Sequence, residues 1–160
     1  MSMYMSFFVK SYTGDLMPIG TFCRGSGVYN MFCDYSEYGH VKPLTKNLLT
    51  EIQIDSKEEL EHYNKIITKH EESLAFLQSA VMDVQEKMEV FNEIKDTIKD
   101  INEAMDEMRD AQKFGFFLKD MIDDMYDRFR YGAEPSIDPD EYVYFGIEIP
   151  WNTKVEVNEA

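Results

Sequence analysis

The sequence predicts an α+β fold in which the two chain ends form a small antiparallel sheet and the middle forms a long, protruding antiparallel helical hairpin. No Gly or Pro occurs between Pro43 and Gly115, whereas both residue types recur before and after this stretch. Uninterrupted segments of this kind favour helix, and the interrupted ends favour strands and turns. The chain therefore divides into an N-terminal segment 1–43, a helical coiled-coil region 44–131 and a C-terminal segment 132–160.

Apolar and polar residues alternate at both ends of the chain, which is typical of strands with one face turned to a core. The apolar faces are Met3, Met5, Phe7 and Val9 in the first segment and Val143, Phe145, Ile147 and Ile149 in the last. A turn around Gly14 predicts a second strand over Leu16–Arg24. Further along, Ser26 is a predicted N-cap for a short helix. We expect the end strands to pair, which would bring the termini together.

A heptad pattern runs through the central region. Ser56 to Glu59 read Ser-Lys-Glu-Glu, a capping-box sequence that predicts a helix start. Apolar residues then recur at alternating steps of three and four, which is typical of a coiled-coil seam. The seam residues are Leu60, Tyr63, Ile67, His70, Leu74, Leu77, Val81, Val84, Met88, Phe91, Ile94, Ile98, Ile101, Met105 and Met108.

A seam of this length needs a partner, which is either a second copy or the same chain folded back. Two positions can hold the bend: the segment near Ser79, just before a second capping-type sequence at Asp83, and the irregular step near Asn92. We favour a bend near Ser79, which would close the seam within one chain. A third helical stretch is predicted over Phe114–Tyr131, ending at Gly132.

Composition excludes several classes of protein. The chain has 31 Asp and Glu against 16 Lys and Arg, a formal charge of −15, and yet contains 11 Phe and 10 Tyr. That aromatic content predicts a folded core rather than a disordered acidic tail. An acidic chain without a basic patch is not expected to bind nucleic acid directly. No apolar run reaches the roughly 20 residues of a membrane span, and no signal peptide is recognisable, so we expect a cytoplasmic protein.

The strongest candidate site is a row of carboxylates, here called the acidic row. Its members are Glu86, Glu89, Glu93, Asp96, Asp100, Glu103, Glu107 and Asp110. They follow the seam with a displacement of two residues, or roughly 200° around a helix, so the row should lie opposite the buried face. A solvated outer face is the ordinary explanation, since lysines flank the row. The alternative is a surface that docks on a basic groove of another protein and competes with nucleic acid there.

The sequence gives less support for an anion-binding, metal-binding or catalytic site. The run Arg24, Gly25, Ser26 and Gly27 precedes a predicted helix and could hold an anion, although it lacks the spacing of a phosphate-binding loop. Glu59 and His62 form one Glu-x-x-His pair, whereas a di-iron bundle needs two. No motif predicts a cofactor, a metal site or a catalytic nucleophile with its base. We therefore expect a protein that is not an enzyme, with an anion-binding enzyme as the remaining option.

Three stretches resemble a loose class of small acidic phage and prophage proteins. They are Pro18–Ser26, Lys42–Thr45 and Tyr144–Glu148, the last closing the acidic helical region. The resemblance implies a mobile-element setting and a location in the host-cell cytoplasm. Small acidic accessory proteins in that setting often disable host factors, as anti-CRISPR proteins do. It assigns no functional residue.

The resulting expectation is a protein-binding module, a phage-encoded inhibitor of a host defence nuclease. Its acidic row would occupy a basic surface that normally holds nucleic acid. The alternative is a structural coiled-coil protein that forms a homodimer or larger assembly through the heptad seam, with the acids serving only solubility.

Overall fold

Four strands and three α-helices form the chain in the computed structural model, which describes residues 3–132, 137–150 and 153. In chain order they are β1 (Tyr4–Lys10), β2 (Leu16–Cys23), α1 (Gly27–Phe32), β3 (Lys42–Pro43), α2 (Lys46–Ser79), α3 (Val84–Arg130) and β4 (Val143–Ile147). The predicted α+β class is confirmed. Of the predicted C-terminal segment 132–160, residues 133–136, 151–152 and 154–160 lie outside the described residues.

The two chain ends pair in one antiparallel sheet, as predicted. The strand order is β2-β1-β4-β3, so β1 lies between its hairpin partner and the C-terminal strand. Its register places Phe7 opposite Phe145 of β4. The turn between β1 and β2 is also where the sequence predicted it, with Gly14 at a φ of 85°. Only β3, a two-residue edge strand, was not predicted, because two residues carry no periodicity.

The apolar face of the sheet is the one predicted except at Ile149, which follows the end of β4 and lies beside Gly146 on the opposite face. That opposite face of β4 is therefore also covered. Met5, Phe7 and Phe145 are fully buried on the core side. On the other side Tyr144 is only 4% exposed. The backbone of the loop before β3 lies against this face, since a Cβ added to Gly146 would lie 2.3 Å from the His40 carbonyl oxygen. Alternation in sequence cannot reveal a loop that covers the polar face.

Helix α2 begins eleven residues before its predicted start. Thr45 is the N-cap, and its Oγ1 accepts a hydrogen bond from the Leu48 N–H at 3.1 Å. The predicted start at Ser56 is wrong. That serine is buried inside the helix, where its Oγ donates to the Gln53 carbonyl at 2.9 Å and accepts from Gln112 Nε2 at 3.2 Å. A serine that packs against a second helix gives the same sequence pattern as an N-cap.

The chain bends where the sequence favoured it. Helix α2 ends at Ser79 and α3 begins at Val84, so the two helices form an antiparallel hairpin. The irregular step near Asn92 does not interrupt α3. The third helix predicted over Phe114–Tyr131 is not separate but forms the end of α3, which is 47 residues or about 70 Å long. Gly132, at a φ of 76°, follows the helix end as predicted.

The seam closes within the hairpin over most of its length. Met105 and Met108 are buried at the base, and Ile67 and Ile98 are half-buried further out. Residues 61–104 contribute nothing to the main hydrophobic core, which lies between the sheet and the base of the hairpin. This projecting part of the hairpin is called the arm below. Three predicted seam residues, Val81, Val84 and Met88, are exposed instead, because the bend takes them out of register.

Polar contacts fasten the C-terminal strand to the rest of the fold. The Tyr126 hydroxyl donates to Asp140 Oδ1 at 2.6 Å, and this hydrogen bond, with burial, raises the pKa of Tyr126 to about 12. Burial, followed by the negative charges of Glu141 and Asp138, raises the pKa of Tyr144 to about 12 as well.

The contact between α1 and α3 leads to a first prediction. A Cβ at Gly27 would lie 2.2 Å from the Glu107 backbone oxygen, so Gly27→Ala must move α1 away from α3. We expect a loss of about 1–3 kcal/mol in the free energy of unfolding, measured by urea denaturation. Gly115→Ala is the control, since its Cβ meets only the ends of two flexible side chains, Met31 at 3.4 Å and Gln53 at 3.5 Å. A replacement inside a helix should then be neutral or stabilising. Equal losses in the two variants would contradict this assignment.

The two tyrosines lead to a prediction about alkaline pH. A tyrosine whose pKa is higher in the folded than in the unfolded chain stabilises the fold below the unfolded value, and this stabilisation is lost as pH rises through the folded value. Unfolding free energy should therefore fall between about pH 10 and pH 12. Tyr144→Phe should make this fall smaller while leaving stability at pH 8 nearly unchanged. An identical alkaline fall in the variant and the wild type would contradict the prediction.

Candidate functional site

All eight members of the acidic row lie on α3 with exposed side chains. The row starts at Glu86 in the first turn of the helix, where a carboxylate is favoured by the helix dipole. It ends at Asp110, beside the core residues Met108 and Ala111 that hold α3 on the base of the fold. Since α3 runs unbroken between these points, a single helix carries eight carboxylates over about 36 Å.

Few cations neutralise the row. Among the described residues only Asp110 of the eight is in an ion pair, with Lys113 Nζ 3.6 Å from its Oδ1. Arg109 pairs instead with Asp106, which lies outside the row. The Lys95 ammonium lies over the Phe91 ring, 5.0 Å from its centroid. Most of the row therefore has no direct ion-pair partner among the described residues, although Lys87, Lys95 and Lys99 lie between its members in the sequence.

The second candidate segment, Arg24 to Gly27, forms a turn and a cap. Ser26 Oγ accepts from the Tyr29 N–H at 3.2 Å, as the N-cap prediction required, and the Ser26 N–H donates to the Cys23 carbonyl at 3.1 Å. Gly27 lies against the Glu107 backbone oxygen, and the Arg24 side chain is exposed. The fold thus brings one end of this segment next to the acidic row. An anion-binding role for it stays a prediction.

Among the residues that the structure describes, thiols and possible metal ligands do not form a second candidate site. Cys23 and Cys33 are free thiols, and burial together with the neighbouring Asp34 raises the pKa of Cys33, which is the opposite of what an activated nucleophile needs. Within the described ranges, no three His, Cys, Asp or Glu side chains are placed to hold a metal ion. None of the helices described contains a stretch long and apolar enough to cross a membrane.

One surface was missed by the sequence interpretation. The end of the hairpin exposes Phe76, Val81, Met82, Val84 and Met88, here called the apolar tip. Three of these residues continue the heptad seam in the sequence, so the pattern assigned them to a buried face. The sequence did contain a signal for their exposure, because the predicted bend near Ser79 has seam residues on both sides of it.

Comparison of the chain with protein-family models, with curated proteins and with solved structures finds no match in any of the three. The functional interpretation therefore rests on the geometry of this chain.

The acidic row should destabilise the isolated protein. Its members repel one another at spacings of three and four residues, by about 0.2–0.5 kcal/mol a pair. Neutralising the middle of the row should raise the free energy of unfolding by about 1 kcal/mol in dilute buffer, and the gain should vanish near 1 M salt, where the Debye length is only about 3 Å. The row-neutral variant carries Glu93→Gln, Asp96→Asn, Asp100→Asn and Glu103→Gln.

A matched control removes the same amount of charge from exposed positions of α2. The substitutions are Glu51→Gln, Glu58→Gln, Glu61→Gln and Glu71→Gln, all at exposed side chains. Urea denaturation of both variants at low and high salt gives the comparison. A larger gain in the control than in the row-neutral variant would show that the row is not a site of concentrated repulsion.

Proposed function

We propose that the chain is a non-enzymatic protein-binding module whose acidic row occupies a basic surface of a partner protein. The observation that carries this proposal is the row itself, eight exposed carboxylates on one unbroken helix, of which only one is in an ion pair among the described residues. Unpaired charges of one sign raise the local potential and attract a surface of the opposite sign.

The spacing of the charges supports competition with nucleic acid. The row presents one negative charge per about 5 Å of helix, against one per about 3.4 Å along a single DNA strand. A groove lined with Lys and Arg that holds a phosphate backbone therefore meets a similar line of charge on α3. Binding there excludes the nucleic acid by occupancy, without any chemical step.

The arm makes such a surface accessible. Residues 61–104 lie outside the main core, and the central row members Glu93, Asp96 and Asp100 lie within this projecting part. A helix that stands clear of the sheet can enter a groove that the wider base of the fold cannot. The base holds the helix in a fixed direction through the buried residues Ala111, Leu118 and Ile122.

The partner class follows from the charge and from the sequence resemblance. A protein that handles nucleic acid carries the basic groove that the row needs, and the phage-like stretches of the sequence favour a nuclease of host defence acting in the host-cell cytoplasm. In this proposal the chain is its inhibitor. The alternative function, assembly through the heptad seam, would have less of the seam to use, because α2 and α3 already contact each other and only Val81, Val84 and Met88 of the seam are exposed.

Charge reversal tests the proposal. The row-reversed variant carries Glu93→Lys, Asp96→Lys, Asp100→Lys and Glu103→Lys. Affinity purification from the native cells with the wild-type chain should retain a basic, nucleic-acid-binding protein. The row-reversed variant should bind this protein at least about tenfold more weakly, because attraction at four positions becomes repulsion. Adding the partner's nucleic acid should displace the wild-type chain.

The control reverses four acids on the other helix. It carries Glu51→Lys, Glu58→Lys, Glu61→Lys and Glu71→Lys, so its net charge equals that of the row-reversed variant. It should keep most of the affinity, since only the row contacts the groove. An affinity that is unchanged between low and high salt, or that survives row reversal, would disprove the proposal.

A further inference from the structure

Strand β2 forms an open edge of the sheet. Its inner neighbour is β1, and within the part of the chain that the structure describes no strand lies on its other side. This edge is eight residues long, whereas the opposite edge, β3, has only two residues. An open edge of this length presents backbone N–H and C=O groups to which a further strand can bind.

The composition of β2 is typical of a strand inside a sheet. Its sequence is Leu-Met-Pro-Ile-Gly-Thr-Phe-Cys, which contains no charged residue although 29% of the chain is charged. The interior strand β4 likewise has none. Charged side chains, especially Lys, protect the open edges of many sheets. The composition of β2 therefore indicates an edge that another strand covers.

The hydrogen bonds next to β1 determine which backbone groups of β2 point outward. The Arg24 N–H donates to the Met3 carbonyl at 2.8 Å. At the other end, the Ser11 N–H donates to the Asp15 carbonyl at 2.9 Å. Successive residues of an antiparallel pair point alternately towards and away from the neighbouring strand. Counting from these two bonds, the residues of β2 whose backbone groups point away from β1 are Leu16, Pro18, Thr21 and Cys23.

A bulge makes this outward set self-complementary. The register of β1 with β2 skips Ile19, so the outward residues are even-numbered before it and odd-numbered after it. In one antiparallel register with a second β2, every outward residue lies opposite another outward residue. Leu16 then lies opposite Cys23 of the second copy, and Pro18 lies opposite Thr21 of the second copy. The N–H groups of Thr21 and Cys23 can donate to the two facing carbonyls.

The same register pairs opposite charges at both ends of the strand. Asp15 precedes β2, Arg24 follows it, and both side chains are exposed. Where Leu16 lies opposite Cys23, Asp15 of one copy lies opposite Arg24 of the second copy. Two-fold symmetry repeats this contact at the other end of the strand. Opposite charges directly across an antiparallel pair stabilise the pairing.

The segment that contains β2 is neutral. Residues 1–43 hold three Asp or Glu and three Lys or Arg, so the net charge of −15 comes from the rest of the chain. An apolar contact adds to the match between the copies, because Met17, which is 54% exposed, lies opposite Phe22 of the second copy in this register. Both charge and apolar contact therefore select a second copy of this strand as the occupant of the edge.

We propose that the open edge of β2 binds β2 of a second copy, so that two four-stranded sheets join into one sheet of a homodimer. Backbone hydrogen bonds hold the copies together, and the contacts between Asp15 and Arg24 fix the register. Since both β2 edges are used and only the two-residue β3 edges are left, assembly ends at the dimer. The inference goes beyond the proposed function, because it assigns a separate surface and gives one particle two arms.

Light scattering of the purified full chain tests the assembly. We expect a mass of twice 18.8 kDa that falls towards the single-chain mass on dilution. The edge variant carries Thr21→Lys, which adds a charged side chain to the open edge and leaves the hydrogen bonds to β1 in place. Its dimer should dissociate with a Kd at least about tenfold higher. Thr50→Lys, the same replacement at an exposed position of α2, is the control and should dimerise as the wild type does.

Two results of this experiment would overturn the inference. One is a single-chain mass at every concentration that stays in solution. The other is a dimer that Thr21→Lys does not weaken, since the copies would then meet at another surface. Circular dichroism checks that both variants stay folded.

Exchange of the two end charges tests the register. Asp15→Arg places two cations opposite each other and Arg24→Asp places two carboxylates, so each variant should dimerise at least about threefold more weakly. The double variant restores opposite charges and should recover the wild-type affinity. Within one chain these positions lie about 30 Å apart along an extended strand, so recovery reports a contact between copies. Losses that simply add in the double variant would overturn the proposed pairing.

Amide hydrogen exchange of the wild type gives a measurement that needs no variant. The outward N–H groups of Thr21 and Cys23 should become protected as protein concentration rises, because they donate across the edge only in the dimer. Protection of the Phe22 N–H, which points towards β1, should change much less. Fast exchange of the two outward N–H groups in a dimeric sample would overturn the inference.

Discussion

The packing of the Phe7 ring against four other phenylalanine rings is the interaction on which the rest of the structure depends. The ring meets Phe22 of β2, Phe32 of α1, Phe114 of α3 and Phe145 of β4, with ring centroids 4.9–6.1 Å apart. One side chain therefore joins both chain ends to the long helix. Edge-to-face and offset aromatic packing of this kind has a preferred geometry, so the contact also orients α3 relative to the sheet. The direction of the arm, and with it the direction of the acidic row, is set at this point.

Packing weakens from this centre towards the end of the hairpin. The base of α3 is fully buried at Ala111 and Leu118, whereas most of the arm is exposed, its seam is mainly half-buried, and Leu77 is its one buried side chain. Segments with few buried apolar contacts open at lower free energy than the core. The charge repulsion along the acidic row acts mainly on this less stable part of the hairpin. Both features suit a surface that completes its packing on a partner, and neither contributes to the stability of the chain alone.

Sequence patterns predicted the parts of this fold that follow from local periodicity. The end strands, the turn at Gly14, the cap at Ser26 and the bend near Ser79 all come from signals within a few residues. The start of α2 was mispredicted because the residues that follow Ser56 in the sequence are those of a helix cap. In the structure Ser56 is buried and accepts a hydrogen bond from Gln112, which is far away in sequence. The exposure of the acidic row followed from helix geometry. The exposure of the apolar tip did not follow from helix geometry, because it depends on a bend that interrupts a seam that is continuous in the sequence.

In the proposed association, the acidic row would act before any close contact forms. Charges on an exposed helix act over about 8 Å at physiological salt and mainly change the rate of encounter. Apolar contacts act only at van der Waals distance, and their loss mainly changes the rate of dissociation. In the proposed interface the row therefore brings the basic partner to α3. The net charge of −15 also opposes association of the exposed apolar tip with its own copies, so a single distribution of charge would serve both steering and solubility.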